Sequence, residues 1–405
     1  MDRADVIILG GGLVGLALAS ALDSSGLSAV VVDPADPTPR TDAAFDGRTS
    51  AVSSSSMRML DTIGVADHLA EPGCPIWTIA VSDGLDPGGL RFEPDDGEPL
   101  GWMHENRNLR AALHARAAAG RKNVELAWKS TIARAERSEF GVEVELAGGR
   151  MLKAPLLVAA DGRNSPAREA AGIPVARWKY DHQAIVSVLR HEQAHDHVAY
   201  EIFYPTGPFA LLPMTDDAVG HRSAIVWSVP NEDAAGWLAL TDEDFAAEAE
   251  AAMGGFLGRV ALLAPRSSFP LGFHHAAQIT AERLALVGDA AHAIHPIAGQ
   301  GLNLGFRDVA ALAEVLVEGA RLGLDLGDRQ LLDRYQRWRS LDSLSVAFAT
   351  DTLTRIYGVP GKTASAVRRF GVGLVGKLSP LRNRLMSEAR GTSGELPLLL
   401  RGLPI

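Results

Sequence analysis

The sequence contains 405 residues with a formal net charge of −10, and Cys74 is its single cysteine. The acidic balance disfavours nucleic acid as a partner, and one cysteine excludes an intramolecular disulfide and fits a reducing compartment. No signal peptide precedes the first predicted strand, and no apolar run reaches the roughly 20 residues of a membrane span. We therefore expect a cytoplasmic protein with two domains and a large core.

The amino terminus carries a glycine fingerprint between a strand and a helix. A predicted strand, Asp5–Leu9, precedes Gly10, Gly12 and Gly15, and a second strand ends at Asp33. Gly10 permits the tight turn, Gly12 lets a pyrophosphate approach the backbone, and Gly15 lets the helix pack closely. Asp33 is spaced to bind an adenosine ribose. This combination predicts a dinucleotide site, without specifying which dinucleotide.

Two short segments follow before the next motif. Ser53–Ser56 predict the N-cap of a helix running through Met57, Leu60 and Ile63. Turn-forming residues surround Cys74, so we expect a loop thiol with no redox role.

A further buried strand is predicted at Leu156–Ala160, followed by Asp161-Gly162. Alone, this segment is typical of an ordinary Asp-Gly turn. The segment does not stand alone, because it is one of several strand ends with an acidic residue or glycines.

Strands replace the βα alternation between about residues 173 and 271. Tyr200–Phe203, Phe209–Pro213 and Ala224–Ser228 read as one sheet. Phe203, Phe209 and Trp227 are either pocket or core residues, and core aromatics are commoner. Gly254–Gly258 lacks a preceding strand, so the chain has one dinucleotide fingerprint and a nicotinamide cofactor would bind without its own domain.

The stretch from Gly288 to Asp308 is the most restrictive in the chain. Gly288-Asp289 follows the apolar run Leu284–Val287, Pro296 stiffens the loop, and Gly299 and Gly301 allow close backbone approach. Helical spacing begins at Leu302, which puts the loop at a helix N-terminus suited to an electron-rich ligand. The alternative is a glycine-rich turn without a ligand.

Histidines near this stretch have an ordinary explanation. His292 and His295 lie in a proline-containing loop without further ligands, so we expect packing histidines rather than metal ligands. His274-His275 is expected to be a surface or rim pair.

The carboxyl-terminal region is basic. Residues 361–405 contain eight Lys and Arg against two Glu, interleaved with apolar residues. This pattern is typical of a membrane-surface segment. The alternative, a helical region packed on the cofactor domain, is equally compatible with it.

The motifs described above resemble those of a known family. The Gly10–Gly15 turn, Asp161-Gly162 and Gly288-Asp289 are similar, in order and separation, to the three cofactor signatures of the class A flavoprotein aromatic hydroxylases, the group of para-hydroxybenzoate hydroxylase. Residues 295–305 with Asp308 resemble more narrowly the ubiquinone-biosynthesis hydroxylases. Three further segments agree with that family: Asp46–Ser53, Glu105–Leu109 and Glu388–Gly402.

The resemblance implies FAD as cofactor and NAD(P)H as electron donor. It places the FAD pyrophosphate at Gly12 near Arg48, and the ribityl chain at Asp289. Asp161 would help hold the nicotinamide cofactor, and Asn106 takes a position where relatives use a longer side chain, with Arg107 as the alternative. The predicted cofactor-binding residues are Gly10, Gly12, Gly15, Asp33, Arg48, Asn106, Asp161, Gly288, Asp289, Pro296, Gly299, Gln300, Gly301, Leu302 and Asn303.

The implied reaction is hydroxylation of an aromatic ring. In the family, NAD(P)H reduces FAD, oxygen adds at flavin C4a, and the resulting hydroperoxide delivers a hydroxyl group. The implied substrate is a polyprenylated ubiquinone precursor. It implies an enzyme that associates peripherally with the cytoplasmic face of the inner membrane or with a quinone-biosynthesis complex. No catalytic side chain and no metal ligand is assigned.

Three alternatives remain open: a soluble phenol or benzoate hydroxylase, a flavin-dependent reductase of the same fold, and a non-catalytic FAD-binding scaffold. Oxygen consumption coupled to ring hydroxylation separates the first from the others.

The implied architecture is α/β, with a Rossmann-like FAD-binding domain of the para-hydroxybenzoate hydroxylase type, an inserted β-sheet substrate domain and carboxyl-terminal helices. We expect residues 1–172 and 272–350 to form the FAD-binding domain, with part of 65–105 in the substrate layer. Residues 173–271 form the predicted substrate domain, and 351–405 the basic helical region.

Overall fold

The computed structural model describes residues 2–37, 45, 47–85, 89–120, 123–293, 300–340 and 386–405. Within these ranges the chain forms four sheets and a set of flanking helices. Pro296, Gly299 and residues 341–385 lie outside the described residues.

A six-stranded sheet forms the first layer. Its strands, in order across the sheet, are β19 (Thr280–Ala281), β20 (Leu284–Leu286), β12 (Leu156–Ala159), β1 (Val6–Leu9), β2 (Ala29–Asp33) and β8 (Val124–Trp128). All neighbours except β19 and β20 pair in parallel. β1, β2, β12 and β20 are buried along their whole length, as expected for parallel strands covered on both faces. Because these strands run the same way, the turns after β1, β12 and β20 meet at one edge.

The larger helices cover this sheet or flank it. They are α1 (Leu13–Ser24), α2 (Ser54–Thr62), α3 (Asn106–Ala119) and α7 (Gln300–Arg321), with a further helix over residues 329–340. Their apolar faces join the sheet in one core that includes Leu16, Leu113 and Leu312, all fully buried. The predicted serine cap of α2 is confirmed, since the Ser53 side chain accepts a hydrogen bond from the Ser56 N–H.

A nine-stranded, mostly antiparallel sheet forms the second large layer. Its main path is β21 (His292–Ala293), β18 (Ser267–Ala276), β13 (Val175–His191), β16 (His221–Pro230), β15 (Gly207–Met214), β14 (Val198–Tyr204), β5 (Thr78–Asp83) and β6 (Leu90–Phe92), and β17 (Val260–Leu262) pairs with β13. The three strands predicted around residues 200, 211 and 226 are therefore present. β18 crosses residue 271, and the division of the chain into domains stays a prediction.

Short helices close one side of this second sheet. α5 (Ala234–Ala239) and α6 (Asp242–Ala252) pack on it, and Phe209, Trp227 and Phe245 form the centre of their shared core. Trp227 lies 5.0 Å from Phe209 between ring centroids, at an angle of 89°. Of the two interpretations of the aromatic trio, the core one fits, because Phe203, Phe209 and Trp227 are all buried.

Two three-stranded sheets and one short helix complete the layers. One sheet contains β9 (Ile132–Ser138), β10 (Gly141–Leu146) and β11 (Met151–Ala154). The other contains β3 (Thr49–Ser53), β7 (Gly101–Glu105) and β4 (Cys74–Ile76). The helix α4 (Pro166–Ala170) follows β12. Cys74 is buried and begins a strand, so the expectation of a loop thiol was wrong.

The last twenty residues pack on the cofactor side of the molecule. Arg390 bonds to the carboxylates of Asp96 and Glu98, each at 2.7 Å, and Arg307 donates to the carbonyl oxygens of Gly391 and Ser393. This part of the basic region therefore follows the packing interpretation. Its other charges, between residues 362 and 384, lie outside the described residues. Among the helices that the structure describes, none is long and apolar enough to cross a bilayer.

Candidate cofactor site

The amino-terminal turn uses its three glycines for different reasons. Gly10 has φ +104°, and a Cβ atom there would lie 2.4 Å from the Ala160 carbonyl oxygen. A Cβ at Gly15 would lie 1.9 Å from the Gly10 oxygen. At Gly12, by contrast, a Cβ would meet no atom of the described residues within 4 Å. Gly10 and Gly15 are thus required by packing, whereas Gly12 keeps space open at the N-terminus of α1.

Asp33 holds this turn in place. Its carboxylate accepts hydrogen bonds from the Gly11 N–H at 2.7 Å and from the Ala35 N–H at 2.8 Å. Each oxygen therefore already has one backbone donor, and each keeps acceptor capacity for a ribose hydroxyl. The ribose contact at Asp33 was predicted from the sequence, but the bond from Asp33 to the turn was not.

Trp128 is a site residue that the sequence analysis did not single out. It lies opposite Asp33 in the β2–β8 pairing, and its ring atoms would lie 2.4 to 2.5 Å from a Cβ at Gly11. The indole therefore covers the turn from the side of β8. The position of Trp128 at the end of a parallel strand could have indicated that it lies at the site.

Asp161 follows β12 at the same sheet edge. Its Oδ2 accepts a bond from the Ala167 N–H at 3.3 Å, while the buried Oδ1 has no hydrogen-bond partner in the part of the chain that the structure describes. Burial raises the pKa of this carboxyl, and the bonds from Ser165 and Ala167 offset only part of that effect. A buried acceptor without a donor is the kind of group that a ligand can satisfy.

Gly288 and Asp289 follow the third strand of this edge, β20. Gly288 has φ +60° and packs against Val14 of α1. The Asp289 side chain reaches solvent, yet desolvation by the surrounding protein raises its pKa, while Arg163 and His292 lower it in part. A solvent-accessible carboxyl crowded by protein indicates a concave surface, as a ligand site requires.

A buried charge cluster fixes this third turn. Asp308 is fully buried, accepts a bond from the Gly288 N–H at 2.9 Å, and lies 2.7 Å from Arg339 Nε and 2.8 Å from His292 Nε2. Burial raises the pKa of Asp308, but His292 and Arg339 outweigh it and leave the pKa below its ordinary value. The carboxylate thus joins the turn after β20 to α7 and to the helix over residues 329–340.

The start of α7 is tied to β3 by one amide. Asn303 donates from Nδ2 to the Ala51 carbonyl oxygen, and its Oδ1 accepts from the Ser53 N–H, both at 2.9 Å. Gln300 is the first residue of α7, and Leu302 packs partly on the core. Within the described ranges, a Cβ at Gly301 would meet no atom within 4 Å. The Asn303 side chain therefore holds the helix start in place, a role that its assignment to the ligand wall did not include.

Arg48 and Asn106 lie on the β3–β7 side of the site. The Arg48 carbonyl accepts from the Asn106 N–H at 3.0 Å, and the Ser50 hydroxyl donates to Asn106 Oδ1 at 2.7 Å. The Arg48 guanidinium lies 5.5 Å from the centre of the Phe269 ring. Arg107, the alternative contact, pairs with Glu105 at 2.6 Å. The predicted residues thus fall into two groups, one at the edge of the six-stranded sheet and one around β3, joined by α7.

His274 corrects another expectation. It is buried rather than at the surface, with Nε2 3.3 Å from an Arg168 guanidinium nitrogen. Burial, and then the charges of Arg168, Arg177 and Arg163, lower the pKa of His274 to about 4. Its ring therefore stays neutral near pH 7, beside the Arg168 side chain that also donates to the Ala290 carbonyl at 2.9 Å.

Aromatic residues near the start of α7 come from a different part of the sheet than predicted. Trp178 stacks on Phe273 with ring centroids 3.8 Å apart, and Phe273 packs with Leu304 and Tyr180. These residues belong to β13, β18 and α7. The alternation of side chains along β13 could have indicated these aromatic residues. The pairing of β13 with β18 could not be predicted from the sequence pattern.

These features fit the cofactor that the motifs imply. The open space at Gly12 lies at a helix N-terminus suited to a pyrophosphate, and the Asp161 Oδ1 and the Asp289 carboxylate offer acceptors for hydroxyl or amide groups of a ligand. The sequence has one dinucleotide fingerprint, Gly10–Gly15, at this edge of the six-stranded sheet. Fold and site together define an FAD-binding protein with a single Rossmann-like unit.

Comparison with known proteins identifies the family. Residues 3–346 match the FAD binding domain family. The ubiquinone hydroxylase UbiL of Rhodospirillum rubrum is 43% identical over 99% of this chain and 94% of its own length. The mitochondrial ubiquinone biosynthesis monooxygenase COQ6 of Mus musculus is 32% identical over 95% of this chain and 90% of its own. The crystal structure of p-nitrophenol 4-monooxygenase PnpA from Pseudomonas putida superposes with a TM-score of 0.78 at 18% identity, covering 98% of this chain and 100% of that one.

The chain therefore belongs to the FAD binding domain family and, within it, to the ubiquinone-biosynthesis hydroxylases of the class A flavoprotein monooxygenases. The predicted α/β fold class and FAD as cofactor are confirmed. The individual cofactor contacts stay predictions.

Proposed function

We propose that this protein hydroxylates the aromatic ring of a prenylated quinone precursor, with O2 as co-substrate and NAD(P)H as electron donor. The observation that carries the proposal is the 43% identity to a ubiquinone hydroxylase over nearly the whole of both chains. Similarity of that extent covers both the cofactor edge and the nine-stranded sheet. We infer that the nine-stranded sheet is the layer that selects the substrate.

The residues described above would hold FAD as follows. The open turn at Gly12 would accept the pyrophosphate, Asp33 the adenosine ribose, and Asp289 the ribityl hydroxyls, and the backbone at the start of α7 would lie beside the ring system. When bound, FAD supplies the electron transfer and oxygen activation that amino-acid side chains cannot provide. The protein's contribution is to position the ring of the substrate and to exclude water.

The aromatic group of Trp178, Tyr180 and Phe273 supports an aromatic, apolar substrate. It touches Leu304, one residue after Asn303, so it borders the proposed flavin wall. Trp178 remains 36% exposed, which leaves part of this face accessible from solvent. A flat ring and an apolar chain are ligands that such a face binds.

Turnover with isotopically labelled oxygen tests this function. The FAD-loaded enzyme is supplied with NADH or NADPH, 18O2 and a prenylated phenol, and mass spectrometry of the product should show one labelled oxygen on the ring. Oxidation of NAD(P)H without ring oxygenation would favour a flavin-dependent reductase. Faster turnover of short phenols or benzoates than of prenylated ones would favour a soluble degradative hydroxylase.

Quinone profiling of a deletion strain gives the position of hydroxylation. We expect a prenylated precursor lacking one ring hydroxyl to accumulate. Normal quinone content, in a strain shown to have no second hydroxylase for the step, would contradict the biosynthetic role.

We also propose that the basic region associates with anionic membrane surfaces, because prenylated precursors reside in the bilayer. Truncation before Gly361 would also remove residues 386–405, which bind Arg307 and Asp96, so charge reversal is the sharper test. Arg368→Glu, Arg369→Glu and Lys377→Glu together should weaken sedimentation with phosphatidylglycerol vesicles, whereas Arg134→Glu, on exposed β9, should not. Equal lipid binding by both variants would count against the proposal.

A further inference from the structure

Three side chains of metal-ligating types converge at a place that includes none of the predicted cofactor-binding residues. Cys74, His195 and His197 each offer one donor atom, and the three atoms lie within 4.8 Å of one another. Cys74 Sγ is 3.4 Å from His197 Nδ1. In a tetrahedral zinc site, one sulfur and one nitrogen ligand are separated by about 3.5 Å, as follows from Zn–S and Zn–N bonds of about 2.3 and 2.0 Å. This pair already has that separation.

The fold brings the three residues together through one strand pairing and an adjacent backbone hydrogen bond. Cys74 begins β4, and the next segment reaches β5, which pairs in parallel with β14. The Trp77 N–H donates to the His197 carbonyl at 3.0 Å, which seats the turn at residues 195–197 against the end of β4. Asp196 and His197 both have positive φ, +50° and +58°. This uncommon backbone conformation occurs in the turn that contains both His195 and His197.

The hydrogen bonds of His195 specify its tautomer. Its Nδ1 accepts a bond from the His197 N–H at 3.1 Å, so Nδ1 carries the lone pair. Its Nε2 therefore carries the hydrogen, which points to the Met214 carbonyl oxygen at 3.0 Å with the Asp216 carboxylate at 3.7 Å. Metal-bound histidines commonly donate their second N–H to a carbonyl or carboxylate in this way. An ion at Nδ1 would replace one weak backbone bond.

We propose that Cys74, His195 and His197 form a binding site for a borderline-soft divalent cation, with Zn2+ as the ion that best suits one thiolate and two imidazoles. A fourth position remains for water. Binding releases the thiol proton, and the ion then connects β4 to the turn before β14 across 123 residues of sequence. Neither the FAD contacts nor the substrate face includes these residues, so the site does not depend on the proposed reaction.

Zinc binding by the tag-free, FAD-loaded protein tests the proposal. After chelation and buffer exchange, titration with ZnCl2 followed by calorimetry should show one equivalent bound and a rise of several degrees in the melting temperature. X-ray absorption at the zinc edge should show one sulfur at about 2.3 Å and nitrogen ligands at about 2.0 Å.

Two variants and one control assign the ligands. Cys74→Ser and His197→Asn should each lose the tight equivalent and the thermal shift, and asparagine suits the positive φ at residue 197, so that variant keeps the turn. His68→Gln removes an exposed histidine elsewhere and should bind zinc like the wild type. Flavin absorbance shows whether each variant is folded.

Equal zinc binding by the wild type and His197→Asn would overturn the proposal, as would a zinc shell without sulfur or the absence of a tight equivalent. If Cys74→Ser does not fold, His197→Asn and the sulfur signal decide the question.

Discussion

The turn at Gly10–Gly15 and the turn at Gly288-Asp289 lie at the same sheet edge but are built in opposite ways. The first is shaped by missing side chains, because two glycines avoid backbone collisions and a third leaves open space. The second is shaped by buried side chains, since Asp308 accepts a bond from the Gly288 N–H and Asn303 ties the start of α7 to β3. A site for one cofactor can thus rest mainly on close backbone packing on one side and mainly on long-range polar contacts on the other.

The largest expected effect concerns the charge cluster of the second turn. Asp308→Asn leaves the buried Arg339 guanidinium without its carboxylate, and we expect a loss of about 3 kcal/mol in unfolding free energy together with release of FAD. Urea denaturation and flavin retention after gel filtration measure the two effects. The control is Asp325→Asn, whose carboxylate pairs with Arg283 but is 46% exposed. Equal stability of the two variants would show that the cluster does not hold the turn.

The open glycine of the first turn separates ligand space from packing. Gly12→Val should leave the stability of the apoprotein nearly unchanged, because its Cβ meets no atom in the part of the chain that the structure describes and its φ of −77° suits any residue. The side chain would occupy the space proposed for the pyrophosphate, so FAD affinity should fall by about 100-fold or more. Flavin fluorescence titration measures this change.

Gly15→Ala is the matched comparison for Gly12→Val. Its Cβ would overlap the Gly10 carbonyl, and we expect a loss of about 1–3 kcal/mol in stability. If Gly12→Val binds FAD normally, the pyrophosphate is not at this turn.

A smaller effect is expected at the amide that joins α7 to β3. Asn303→Leu leaves the Ser53 N–H and the Ala51 carbonyl without this partner, which should cost about 2 kcal/mol and weaken FAD binding. Asn231→Leu removes an exposed amide that bonds Asp181 and should cost under about 0.5 kcal/mol. Thermal denaturation of both variants tests the difference. Similar melting temperatures would show that Asn303 does not hold the start of α7 in place.

The smallest effect at neutral pH is expected for His104. This buried residue has no hydrogen-bond partner within the described ranges, and burial lowers its pKa to about 4. A histidine whose folded pKa lies below the unfolded value of about 6.5 stabilises the fold above pH 6.5, and this contribution is lost as the pH falls toward 4. The loss for His104 at pH 5 is about 2 kcal/mol.

His104→Leu should therefore be neutral or stabilising at pH 7 and less sensitive to acid between pH 6.5 and 4. Stability measured across this range checks the prediction, with exposed His68→Leu as the variant that should change nothing. An unchanged acid profile in His104→Leu would contradict the assignment.

Much of the cofactor edge was predictable. The strand, turn and helix at Gly10–Gly15 follow from the glycine spacing within one short segment, and β1, β2 and β12 appear as short apolar runs. The serine cap of α2 is equally local. His274 could not be placed in this way, because its burial depends on Arg168, 106 residues away. Phe209 and Trp227 failed as pocket residues for a similar reason, since α5 and α6 cover their face of the sheet.

The sequence by itself determined the α/β fold, the single dinucleotide fingerprint and the likeness to quinone-ring hydroxylases, because glycine spacing and strand periodicity reflect the backbone of each segment. Only the tertiary structure decided which polar groups meet. Asp308 reaches Arg339, Asn303 reaches Ser53 across 250 residues, and Cys74 reaches His197. Such contacts depend on strand order and helix docking, and no local pattern along the chain encodes the distance between two remote side chains.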